Sequence, residues 1–121
     1  MATMNSVIEY VDGVKPNVYD EEAKYKWMAT LDGKISLEVM QMEEPVTYSL
    51  PRDADTELLV PAPYDDVYAL YVQAMIDFYN QEYDHYNNAV LVFTERLDAF
   101  KAWWIRTHET TKARNFRNVM G

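Results

Sequence analysis

Between residues 83 and 104 the chain reads YDHYNNAVLVFTERLDAFKAWW. Within it Tyr83, Tyr86, Val90, Phe93, Leu97, Phe100 and Trp104 recur at steps of three and four. That spacing puts all seven on one face of a helix. The rhythm extends upstream. At about 100° per residue, Tyr64, Tyr68, Tyr71, Tyr79, Tyr83 and Tyr86 span about a third of the circumference. Asp66, Gln73, Asp77, Asn80, Asp84, Asn87 and Asn88 share the other side. A helix with so narrow a polar side must touch more than one neighbour. One unbroken helix over residues 65–107 would be about 65 Å long. A compact chain of this length has a radius of gyration of about 13 to 14 Å. A break or sharp kink is therefore expected between Asn80 and Asn88, unless an assembly supports one long helix.

The rest of the chain divides at its punctuation. In NSVIEYVDG, Asn5 or Ser6 can cap a short helix, Gly13 can end it, and Val7, Ile8 and Val11 give it an apolar side. Pro16 disfavours helix at Lys15. A second helix is expected after Asp20, an N-cap followed by Glu21 and Glu22 at the positive dipole end. Its face is Trp27, Leu31, Ile35, Val39 and Met42, widened by Met28. Gly33 lies inside it, at a cost of about 1 kcal/mol relative to Ala, and leaves room for another backbone. Pro45 closes it. VTYSL and ELLVP, separated by PRDAD, are short β-prone runs. Pro51, Pro61 and Pro63 forbid a long central strand, so a small β-hairpin or a protruding loop is expected over about residues 45–62. Asp65 then caps the third helix.

The expected fold is mostly α: a bundle of about four helices with a small β-hairpin insertion. Residues 1–108 form one domain, and residues 109–121 form a basic, flexible tail. Trp27, Leu31, Tyr71, Met75, Phe93, Leu97 and Phe100 are the expected core. At 121 residues and 49% apolar composition, one domain with a real core is affordable. No stretch approaches the roughly 18 apolar residues of a membrane span. The opening MATMNSVIEYVDG lacks the basic start and long apolar centre of a signal peptide. A soluble intracellular domain is the expectation.

Charge is unevenly placed. The net charge is −9; residues 1–95 carry 18 acidic and 5 basic side chains, and residues 96–121 carry 2 acidic and 6 basic. An acidic body repels phosphate backbones, which argues against ordinary nucleic-acid binding. The basic end suits an acidic neighbour, such as another copy of the chain.

Chemistry-bearing patterns are sparse. The absence of cysteine excludes disulfides and thiolate metal sites. Ser6, Ser36 and Ser49 sit in no glycine-rich elbow, and three glycines make no phosphate-cradling loop. Glu82 and His85 share a helical face, but two-metal bundles need that pair on two helices with further glutamates. They read as an exposed polar pair beside the break. No catalytic residue, cofactor or metal is expected. Asp65, Asp66, Asp77, Glu82 and Asp84 lie too near the aromatic stripe for it to stack nucleobases, which favours a basic groove. Trp103 and Trp104 point to adjacent faces, so one helical surface cannot bury both. Tyr, Trp and Met are enriched at protein interfaces. Contact residues between chains are expected at Tyr79, Trp103, Trp104, Arg114, Phe116 and Arg117.

The runs NVYDEEAKYKWMATLDGKISLEV, LLVPAPYDDVYALYVQAMIDFYNQEYDHYNNAVLVF and FKAWWIRTH resemble small proteins of phages and prophages of Gram-positive bacteria, over about residues 5–108. These in turn resemble the head–tail connector, or portal adaptor, proteins of long-tailed bacteriophages. The sequence has Asn80-Gln81 where a helix-ending Asn-Gly is more usual. The resemblance implies a non-enzymatic structural protein of virion assembly. It would sit at the head–tail junction as a homo-oligomeric ring, made in the host cytoplasm and free to be a monomer before assembly. Its partners would be the portal and a tail or stopper protein, with DNA only as passing cargo and no membrane. The competing reading is a small prophage-encoded helical protein-binding module, monomeric or dimeric, whose acidity mimics nucleic acid.

Overall fold

The computed structural model describes the backbone of residues 2–120 and the side chains of residues 2–108. Four helices follow one another there: α1 (Met4–Val14), α2 (Glu21–Glu38), α3 (Asp66–Tyr79) and α4 (Tyr83–Met120). They form a helical bundle in which α3 is central and packs against α1, α2 and α4. None of the helices in the described region is long and apolar enough to cross a membrane.

The start of α1 is set by a capping box. Thr3 Oγ1 accepts from the Ser6 backbone N–H, and the Thr3 N–H donates to Ser6 Oγ. Thr3 is thus the cap, and Ser6 is its reciprocal partner three residues on. Gly13 does not end the helix, which runs one residue further; Lys15, ahead of Pro16, leaves helical geometry. Met4, Val7, Ile8 and Val11 make the buried side.

The buried face of α2 differs from the apolar stripe read in the sequence. Leu31 and Ile35 are buried, Trp27 and Val39 are half-buried, and Met42 is exposed beyond the helix end. The row Lys24, Met28, Asp32 and Ser36 is buried instead, beside Tyr25. Three of those four are polar, and each has a partner. Lys24 Nζ reaches Asp12 at 2.7 Å. Ser36 Oγ donates to the Gly33 carbonyl and accepts from Val46 N–H. Asp32 is described below.

The expected β-hairpin over residues 45–62 is absent. Among the described residues the only ladder contact is one isolated antiparallel bridge, Thr3 to Glu57. The segment is a strap laid across α2 and α3, with a short 3-10 turn at Arg52–Asp55. Four of its backbone donors go to other parts of the chain: Val46 to Ser36 Oγ, Leu58 to the Ala2 carbonyl, Leu59 to Asp32 and Val60 to the Tyr68 hydroxyl. Pro45, Pro51 and Pro61 remove N–H groups that a hairpin ladder would need. Side chains of α2 and α3 take three of the remaining donors. Ala54, Leu58 and Val60 are buried and pin the strap into the core.

The expected break falls at Asn80–Glu82. Asn80 caps α3, and Gln81 takes a left-handed φ of 61°. Gln81 N–H donates to the Phe78 carbonyl at 3.0 Å and Glu82 N–H to the Asp77 carbonyl at 2.9 Å. That pair of bonds is a Schellman closure, with glutamine where glycine is usual. The chain turns back and α4 returns along α3.

Of the expected core, Leu31 and Phe100 are buried, while Trp27, Tyr71, Phe93 and Leu97 pack half-buried against it. Met75 is half-buried outside that cluster. The α1 face, Tyr68, Val72 and Ile76 complete the core. Residues 109–121, read in the sequence as a tail, fall outside the described side chains; the α4 backbone runs on to Met120.

Candidate interaction surface at the hinge and along α4

Two aromatic clusters flank the α3–α4 hairpin. The first surrounds the hinge. Tyr79, on the last residue of α3, stacks on Trp27 of α2 with centroids 5.6 Å apart and planes 7° from parallel. Tyr19 meets Trp27 edge-on at 5.8 Å, and its hydroxyl donates to Asn80 Oδ1 at 2.8 Å, tying the α1–α2 linker to the hinge. Phe78 contacts Tyr79, Tyr83 and Tyr86. Despite these contacts Phe78, Tyr79 and Tyr83 remain 41%, 51% and 54% exposed. Leu91, two turns further along α4, is 69% exposed.

The second cluster lies further along α4. Trp103 packs against Tyr64 and Phe100, and Trp104 against Phe100. His108 stacks on Trp104 with centroids 3.5 Å apart. The adjacent-face geometry holds: the fully buried Phe100 lies against both indoles, and each stays half-buried. Ile105 is exposed beside them. Met40, two residues past the end of α2, joins Trp104, Ile105 and His108 around a groove of about 260 Å³.

Of the residues the sequence singled out for contacts between chains, Tyr79, Trp103 and Trp104 thus occupy two separate patches. Arg114, Phe116 and Arg117 lie outside the described side chains. Sequence reasoning missed Tyr19, Trp27 and Phe78 as parts of the hinge cluster. They come from three elements and share no period; the only local signal was a tyrosine shortly before a helix cap.

The polar groups serve structure first. Asp32 is fully buried and accepts from Tyr48 Oη at 2.6 Å, Tyr68 Oη at 2.5 Å and Leu59 N–H at 3.2 Å. Burial pushes its carboxyl above the ordinary value, against the downward pull of those three bonds. Burial and the neighbouring Asp32 carboxyl push both tyrosine hydroxyls well above 10. Lys15 Nζ sits 2.6 Å from Asp77 Oδ1 as an ion pair; this buried oxygen takes no hydrogen bond, so charge alone pairs it. Arg96 of α4 meets Asp66 of α3 in an exposed ion pair across the hairpin. Ser6 Oγ donates to the Thr3 carbonyl and accepts from Thr3 N–H, and Ser36 Oγ donates to the Gly33 carbonyl and accepts from Val46 N–H.

Comparison of the chain with protein-family models, with curated proteins and with solved structures found no match.

Proposed function

We propose that this chain is a non-enzymatic structural adaptor of phage virion assembly. It joins a portal to a tail or stopper protein within a homo-oligomeric ring, and DNA passes through as cargo. The observation that carries this reading is the aromatic surface one protomer leaves uncovered. Phe78, Tyr79 and Tyr83 stay about half in water after the chain has packed its own core. Large exposed aromatic patches mark sites of protein contact.

A closed ring needs two unlike patches that meet head to tail. The hinge cluster and the Trp103–Trp104 cluster supply two. Tyr83 and Trp104 are 21 positions apart on α4, which is about 30 Å at the helical rise. The charge supports the same arrangement, since the acidic first 95 residues complement the basic end of α4. Acidic side chains on a channel wall would also keep a passing duplex from sticking. The basic segment with Arg114, Phe116 and Arg117 is the portal-facing part in this reading.

The test is the particle mass and negative-stain appearance of the protein mixed with portal. Annuli containing many copies are expected. A complex of one or two copies, with no annulus in the portal's presence, would instead establish a monomeric or dimeric binding module. Deleting residues 109–121 should abolish portal docking and leave the helical spectrum of the domain; undiminished docking removes that segment from the contact.

A further inference from the structure

The hinge does more than reverse the chain. On an unbroken helix Asp77 and His85 would stand about 12 Å apart along the axis. The turn at Asn80–Glu82 folds that distance away, and one ligand atom each from Asp77, Glu82 and His85 comes within 4.8 Å of the others. His85 Nδ1 is 3.0 Å from Glu82 Oε2. The hydrogen bond from Glu82 N–H to the Asp77 carbonyl fixes the backbones of the two acidic residues against each other.

We propose that Asp77, Glu82 and His85 form a binding site for a divalent transition-metal cation of the zinc type. Two carboxylate oxygens and one imidazole nitrogen are a donor set that zinc accepts, with water completing four-coordination. Thiolate-seeking metals find no sulfur here, and calcium or magnesium asks for more oxygens than the site offers. The charge is suitable. Lys15 offsets one of the two carboxylates, which leaves the cluster one negative charge when the imidazole is neutral. Asp77 is 3% exposed and held by its surroundings, whereas Glu82 and His85 are exposed. The buried carboxylate is thus the fixed ligand, and the two exposed side chains, already in contact with each other, close on the cation. Tetrahedral zinc sets its ligand atoms about 3.4 Å apart, so the contraction required is within reach of side-chain rotation.

A cation at this point would tie the last turn of α3 to the first turn of α4. It would brace the angle at which α4 leaves the hinge, beside the exposed rings of Phe78, Tyr79 and Tyr83. The inference rests on the hinge geometry alone and is independent of any ring.

The experiment is calorimetric titration of the full chain with Zn²⁺ at neutral pH after chelator treatment. One cation per chain with micromolar affinity is expected. His85→Ala and Glu82→Gln should each weaken binding by about tenfold or more; both side chains are exposed, and circular dichroism checks that the variants fold. His108→Ala, at the other end of the hairpin, should bind as the parent does. Co²⁺ in place of Zn²⁺ should give the visible absorption of a four-coordinate oxygen–nitrogen site, lost in His85→Ala. Parent affinity no tighter than that of His85→Ala, or loss of binding in His108→Ala with His85 intact, overturns the proposal.

Discussion

The Tyr68 hydroxyl donates to Asp32 Oδ1 at 2.5 Å while accepting from the Val60 N–H at 2.8 Å. One atom of α3 therefore links a buried acid of α2 to the strap that crosses them both. Water has no access to Tyr68 or Asp32, each 0% exposed. The bonds are thus made in a low-dielectric setting where an unmet partner is expensive. Tyr68→Phe keeps the ring but strands the Val60 donor and removes one donor from Asp32. A loss of about 2 to 4 kcal/mol is expected. Tyr48→Phe should cost less, about 1 kcal/mol, because Tyr48 is only half-buried and water can replace its hydroxyl. Denaturant midpoints of the two variants measure the difference; equal midpoints would contradict the ranking.

The same three groups set a pH dependence. A tyrosine whose folded pKa lies above its unfolded value of about 10 holds its proton longer in the native state. Its contribution is complete below pH 10 and is lost as the pH rises from there toward the folded value. Tyr68 and Tyr48 both shift upward. The fully buried Tyr68 alone should remove about 1 kcal/mol of stability per pH unit above 10. Asp32, also shifted upward, acts in the same sense at lower pH: its contribution is present below its unfolded value near 4 and fades as the pH climbs through the folded value. Urea midpoints taken from pH 8 to 11 should fall more steeply for the parent than for Tyr68→Phe.

Gln81 holds a left-handed backbone at φ 61° in the position where a Schellman closure favours glycine. A residue with a Cβ is strained there by about 1 kcal/mol or more. Gln81→Gly should therefore raise stability by about 1 kcal/mol, and Gln81→Val should lower it further, since β-branching worsens the clash. Thermal unfolding of the two variants against the parent decides it.

Gly33 lies on α2 under the strap, where the Val46 carbonyl would be 3.6 Å and the Pro45 side chain 4.0 Å from an added Cβ. Both are ordinary contacts, and the glycine has no positive φ. Gly33→Ala should therefore stabilise by about 0.5 to 1 kcal/mol through helix propensity. A longer side chain, as in Gly33→Leu, must displace the strap and should destabilise. Chemical denaturation of both variants tests this, and a destabilised alanine variant would mean that the strap lies closer than these distances.

Patterns carried within one element were legible in the sequence. The helices α1 to α4, the break after Asn80, the burial of Phe100 and the divided exposure of Trp103 and Trp104 all follow from the 3.6-residue period and the length a compact chain allows. The strap and the buried face of α2 were not legible. Lys24, Asp32 and Ser36 look like a solvent-facing row, because periodicity treats every polar side chain as outward-facing. Only the fold brings Asp12, Tyr48, Tyr68 and the strap's backbone donors to that row and makes burial tolerable. Likewise the Glu82–His85 pair was visible as spacing, but Asp77 joins it only after the chain has turned. Sequence by itself determined that four helices form and where α3 gives way to α4, since those choices are local, but not that α2 stops at Glu38 or that the α4 backbone runs on to Met120. The tertiary structure decided which polar groups go inside and which rings stay out, since both depend on partners far away in the chain.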